Sequence, residues 1–174
     1  IDTEDVRLLV YRSFADRGLA PTVDELAAGL DGSPAEMRSA LRQLAAGRHV
    51  VLDADDSIVM AHPFASIPLG FSVMGRHTLW WGGCAWDSFA LPHLLPANDP
   101  VLVATRCPAC SQPLAWNVGT DAPPPGPEVA HFLVPAAHIW DDVVHTCSHQ
   151  RPHASDQDWP GPGARSGNGQ GQYW

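Results

Sequence analysis

The sequence predicts an α+β fold, a helical N-terminal third followed by a strand-rich remainder. Three observations carry this: apolar stripes of helical period with capping signals stop near residue 47, short apolar runs bounded by Gly, Pro and Asp take over after residue 65, and residues 160–174 hold little that could be buried. A chain of 174 residues that is 45% apolar has enough material for a substantial core.

Val6, Leu8, Leu9, Val10 and Phe14 form a stripe that predicts a helix ending near Gly18. After Pro21, Thr22 and Glu25 have capping-box spacing, and Leu26 and Leu30 continue an apolar face until Asp31-Gly32. Ser33-Pro34-Ala35-Glu36 repeats the device with Pro at the first helical position, opening a helix that carries Met37, Leu41 and Leu44 as far as Gly47. Residues 49–52 and 57–60 flank the turn Asp53-Ala54-Asp55-Asp56 and predict a β-hairpin. Three helices and a hairpin make a winged-helix-like module over residues 1–62.

Residues 62–68 read as a connector. Strands are expected at 69–73, 77–81 and 101–105, with a short helix at 88–95. Residues 114–118 are the return strand of a hairpin whose turn holds Cys107-Pro108-Ala109-Cys110. A Pro-rich loop at 121–127, a buried strand at 130–135 and a short helix or turn at 136–144 lead to Cys147. Residues 63–159 thus form a sheet-rich core, and 160–174 a Gly- and Pro-rich tail expected to be loop.

Ten basic against 19 acidic residues leave a net charge of −9, which repels phosphate backbones and argues against general nucleic-acid binding. Residues 1–60 hold eleven acidic residues and six arginines, so Arg38 and Arg42 on the third helix sit in a module of net charge −5, and packing or dimerisation is the favoured role. All ten basic residues are Arg, which excludes a lysine Schiff base, a P-loop lysine and a Ser-Lys dyad. No apolar run approaches the ~20 residues needed to span a bilayer, so the expectation is a soluble cytoplasmic protein without leader or membrane partner. Four cysteines in such a chain serve as nucleophiles or metal ligands more often than as disulfides.

Cys84 stands three residues before Asp87 at the opening of an expected helix, within Trp80-Trp81-Gly82-Gly83-Cys84-Ala85-Trp86-Asp87. Exposed N–H groups there favour a thiolate, and flanking Trp would exclude water and keep the carboxyl available as a proton donor. The bland alternative is a small buried Cys and an Asp cap. His145-Thr146-Cys147-Ser148-His149 places a second thiol between two His, and soft thiolates select soft metals. Cys107-Pro108-Ala109-Cys110 has the C-x₂-C spacing of half a zinc site, which makes both cysteines candidate zinc or structural ligands. Trp80, Trp81, Trp86, Trp116 and Trp140 suit either a pocket wall or a core, with core favoured for each. His93, His131, His138 and His153 have no ligand spacing.

Cys84-Ala85-Trp86-Asp87, followed by Phe89, resembles the Cys-Ala-x-Asp core of the alkylmercury (organomercurial) lyase family. Cys147-Ser148-His149, with Ala154-Ser155 downstream, resembles that family's second catalytic cysteine segment. Order and separation also match, over roughly residues 3–159. The resemblance implies a winged-helix-like module before a sheet-rich catalytic core, and protonolysis of an organomercurial to a hydrocarbon and Hg(II) without a required cofactor. Cys84 and Cys147 would then capture mercury, and Asp87 would accept a thiol proton and deliver one to the leaving carbon. Product would pass to small thiols or to a mercury-accepting protein.

Three rival readings stay open at this point. Cys84, Cys147, Cys107 and Cys110 could form a structural Cys₄ zinc centre. The same fold could cleave a different bond in a biosynthetic or detoxification pathway, acting on another small molecule. The chain could also be a metal-responsive winged-helix regulator.

Overall fold

The computed structural model describes residues 1–108 and 110–153. The expected tail at 160–174 and the Ala154-Ser155 pair lie outside the described residues.

Three helices open the chain: α1 (Thr3–Arg17), α2 (Val23–Gly29) and α3 (Pro34–Ala46). Gly18 ends α1 in the left-handed region at φ 73°, and its N–H donates to the Phe14 carbonyl at 2.8 Å. A side chain is strained in that conformation, which is why the stripe stops at a glycine. Both expected capping boxes form, Thr22 with Glu25 on α2 and Ser33 with Glu36 on α3. Val6, Val10, Phe14, Leu26, Met37 and Leu41 are fully buried between the three helices and the sheet.

The strands β1 (Val51–Leu52), β2 (Ile58–Ala61), β3 (Phe64–Ala65), β4 (Phe71–Met74) and β5 (Leu79–Gly82) follow. Helix α4 (Ala85–Leu94) then separates them from β6 (Val101–Arg106) and β7 (Pro113–Val118). These seven strands form one sheet in the order β1-β2-β3-β5-β4-β6-β7, with every pairing antiparallel. β8 (Val129–His131) and β9 (Arg151–His153) pair separately, with a 3-10 helix (Ala136–Asp141) and α5 (Val143–Ser148) between them.

The stretch read as a connector contains a strand. β3 is two residues long, too short to show alternation, yet it pairs with β2 on one side and β5 on the other. The N-terminal hairpin is thereby continuous with the main sheet. The helix expected at 88–95 begins earlier, at Ala85, because Cys84 itself caps it. The strand expected at 130–135 ends at His131, and Cys147 lies inside α5 rather than beyond a turn.

Alternate strand residues sort onto two faces, as the period of two requires. One face carries Ala61, Phe64, Phe71, Val73, Trp80, Val101 and Val103 into the large core shared with α1. There Phe14 stacks on Phe64 with ring centroids 5.3 Å apart, and Trp80 Nε1 donates to the Phe14 carbonyl at 2.7 Å. Met60, Ala65 and Leu69 belong to a second, smaller cluster, completed by Val143 and two cysteines, Cys84 and Cys147.

Candidate active site

The second cluster is where the chemistry gathers. Strand β5 ends in Gly82-Gly83, and Cys84 follows as the N-cap of α4 in extended conformation, its Sγ accepting from the Asp87 N–H at 3.4 Å. The Cys84 carbonyl accepts from Ser88 Oγ at 2.7 Å, which pins the first turn. From the other side, α5 is capped by Asp142, whose carboxylate accepts from the His145 N–H at 2.9 Å, and the helix presents Cys147. Both thiols are buried, Cys84 at 7% exposure and Cys147 at 4%.

A buried amide joins the two segments. Gln150 Oε1 accepts from the Ala85 N–H at 2.8 Å, and its Nε2 donates to the Cys147 carbonyl at 2.8 Å. One side chain thus satisfies a donor beside the first cysteine and an acceptor at the second, and buried polar groups left unpaired would be costly. Cys84 and Cys147 themselves sit in one small buried cluster with Met60 and Val143.

Asp87 projects from the first turn of α4 with its carboxylate held by His62, whose Nδ1 lies 3.1 Å from Oδ2. His62 occupies the two-residue turn between β2 and β3, and the carbonyl of the next residue, Pro63, accepts from the Gly83 N–H at 3.1 Å. Gly83 is required for this approach, since a Cβ there would collide with the Asp87 carboxylate. His62, Asp87 and Cys147 offer ligand atoms that all lie within 4.8 Å of one another.

The electrostatics correct one expectation. Cys84 was expected to favour thiolate at a helix start, but its pKa is pushed well up. The hydrogen bond with Cys147 contributes most, burial next, then the negative charges of Asp87 and Cys147, and the Asp87 N–H opposes them only weakly. A buried thiol beside a carboxylate keeps its proton because ionising it would place two negative charges in one apolar pocket.

Of the three residues singled out in the sequence, Asp87 and Cys147 fall in that ligand group with His62, and Cys84 shares the small buried cluster with Cys147 without belonging to the group. Cys107 and Cys110 are not part of that group. Cys107 is buried at the end of β6, Cys110 is exposed in the β6–β7 turn, and none of the four cysteines is in a disulfide. A zinc site needs about four ligands. Among the described residues, no set of three ligand atoms within 4.8 Å includes either of them, so the residues present do not fit a closed Cys₄ centre.

The tryptophans divide between roles. Trp80 is core, Trp86 is 63% exposed, and Trp81 lines a cavity of about 640 Å³ together with Leu69, Arg106, Cys147 and Gln150. Trp116 lines a separate apolar cavity of about 240 Å³ under the Pro-rich loop with Phe89. Trp140 meets the His62 ring edge to face at 5.2 Å, and the Arg48 guanidinium lies over the Trp140 ring, 5.7 Å from its centroid. The sequence reading missed His62 and Gln150. A His in a turn 25 residues before Asp87 carries no spacing signal, and a lone Gln after a cysteine reads as surface polarity until its burial is known.

Two buried, adjoining thiols and a carboxyl in a mixed helix and antiparallel-sheet frame define a thiol protein suited to a soft metal. The family model for alkylmercury lyases matches residues 64–161, and the chain belongs to that family, the enzymes that cleave carbon–mercury bonds. Among solved structures, the mercury-bound form of MerB2 is similar over 100% of this chain and 85% of that one, with 21% identity and a TM-score of 0.70, so the two share a fold. No curated protein sequence matches the chain.

Proposed function

We propose that this carbon–mercury lyase works through Cys84, Asp87 and Cys147, with the thiols binding mercury and the carboxyl carrying the proton. The observation that carries the reading is geometric: Cys84 and Cys147 share one small buried cluster, and the Asp87 carboxylate, three residues from the first thiol, lies within 4.8 Å of the sulfur of the second.

The steps balance as follows. A first thiol displaces X from R–Hg–X, forming S–Hg and releasing HX. The second thiol gives its proton to the Asp87 carboxylate and adds to mercury as thiolate. The protonated Asp87 then transfers that proton to carbon as the Hg–C electron pair moves onto carbon, leaving R–H, a bis-thiolate Hg(II) and a regenerated carboxylate. Metal binding of this kind displaces thiol protons, so a resting thiol that keeps its proton is no obstacle: the arriving cation offsets the charge that opposed ionisation. These residues suffice for the steps, and no organic cofactor takes part in them. Hg(II) then leaves to small thiols or to a cysteine-bearing acceptor protein in the cytoplasm.

Residues 1–62 serve in this reading as a winged-helix-like module packed against a lyase core of residues 63–159. That packing is supported by Arg48 over the Trp140 ring, whereas Arg42 pairs within the module, held by both Asp56 carboxylate oxygens at 2.7 and 2.9 Å.

The test is turnover of an arylmercurial in excess thiol, read as liberated arene. Cys84→Ser and Cys147→Ser are each expected to abolish it, and Asp87→Ala to lower it by ~10²–10⁴-fold, as for loss of a general acid. Correctly folded wild-type protein that binds mercury but liberates no arene would overturn the lyase reading.

A further inference from the structure

Asp87 does not stand alone in the pocket. His62 Nδ1 is 3.1 Å from Oδ2, and the pair is mostly shielded, with side-chain exposures of 23% and 14%. The other ring nitrogen, Nε2, is buried and has no hydrogen-bond partner among the described residues. A histidine kept only for packing would be expected to pair its buried nitrogens. Here Nδ1 is taken up by Asp87, and the Trp140 ring packs edge to face against the imidazole at 5.2 Å. A carboxylate only accepts, so the ring nitrogen that faces it, Nδ1, is the one that carries a proton.

We infer that His62 is a positioning residue for the proton carrier: its Nδ1–H fixes Oδ2 and leaves Oδ1 as the oxygen that takes the thiol proton and delivers it to carbon. The inference rests on the reading of Asp87 as that carrier. Three chain segments converge to make it possible. The β2–β3 turn supplies His62, the first turn of α4 supplies Asp87, and Trp140 from the 3-10 helix backs the imidazole. The Pro63 carbonyl on the Gly83 N–H ties the His62 turn to the cysteine-bearing loop. A carboxylate free to rotate would offer either oxygen in many orientations, and misplacement of a reacting group by about 1 Å can cost ~10²-fold in rate.

The experiment compares His62→Ala and His62→Asn with wild type for arylmercurial turnover, and titrates each with Hg(II) to count thiolate bonds by ultraviolet absorption. His62→Ala should lower kcat at least tenfold with KM within about twofold and an unchanged count of mercury–thiolate bonds. His62→Asn, whose amide N–H can replace Nδ1–H, should recover most of that loss. Because His62 acts through Asp87, adding His62→Ala to Asp87→Ala should cause no further loss. The inference is overturned by wild-type kcat in His62→Ala, by His62→Asn no better than Ala, by a change in mercury stoichiometry, or by additive losses in the double variant. If Asp87→Ala itself turns over normally, the reading of Asp87 falls. If Asp87→Ala is inactive while His62→Ala is not, only the role of His62 falls.

Discussion

At Cys84 three influences keep the proton on sulfur and one opposes them. The Cys147 hydrogen bond, burial and the neighbouring negative charges outweigh the single N–H of Asp87. The consequence for stability has a definite sign. A thiol whose folded pKa lies above its ordinary value of 9.0 contributes stability that is fully present below that value and is lost as pH rises beyond it. Denaturant midpoints measured from pH 7 to 10.5 should therefore fall more steeply in wild type than in Cys84→Ala above about pH 9. Equal slopes would mean that the folded state does not hold Cys84 protonated. At this scale the sequence revealed residue type and spacing but not the environment. Cys84, Asp87 and Cys147 could be singled out as candidates because thiol, acid and thiol carry chemistry wherever they lie. The charge state of Cys84 was not legible, because it depends on Cys147, which is 63 positions away along the chain and adjoins it only after folding.

Helix α4 joins the residue scale to the fold, because its N-cap is a catalytic candidate. Ser, Thr, Asp and Asn are the preferred N-caps, and a sulfur accepting the Asp87 N–H at 3.4 Å is a weak substitute. Cys84→Ser replaces it with a shorter, stronger acceptor at nearly the same position. Thermal unfolding of Cys84→Ser should therefore match wild type or improve by up to ~1 kcal/mol, while arene release is lost. A variant both inactive and strongly destabilised would show that Cys84 contributes chiefly by filling the small cluster with Met60 and Val143. The elements legible in the sequence are those with local signals. Both capping boxes, the Gly18 stop and the hairpin around Cys107 and Cys110 form where the residues placed them. β3 was not legible, since two residues cannot display a period and its identity as a strand comes wholly from pairing with β2 and β5. α5 was not legible either: Val143-Val144-His145-Thr146 is rich in β-branched residues, and the helix is fixed by the Asp142 cap and by packing of Val143 and Cys147.

Across the whole molecule, the N-terminal helices and the cysteine-bearing core share one sheet and one large apolar cluster. Phe14 of α1 stacks on Phe64 and accepts the Trp80 indole N–H, Tyr11 donates to the His49 carbonyl at 3.0 Å, and Arg48 reaches Trp140 beside His62. Burial raises the Tyr11 pKa, Arg7 opposes the rise, and the Asp87 charge adds a smaller upward push, so α1 lies within electrostatic range of the site. Deleting residues 1–48 would strip α1 to α3 from the fully buried Trp80 and from Phe64 and Val73. Each large apolar side chain returned to water costs ~1.5–3 kcal/mol, and several together approach the ~5–15 kcal/mol that holds a typical domain. The remaining chain should lose cooperative unfolding and near-ultraviolet dichroism, and it should bind mercury through exposed thiols without releasing arene. The alternative, in which residues 1–48 are an independent appendage, requires the truncated protein to melt cooperatively and to retain turnover. The two outcomes separate cleanly because Trp80 reports the interface: its fluorescence should be shielded in the full chain and solvent-exposed after the deletion.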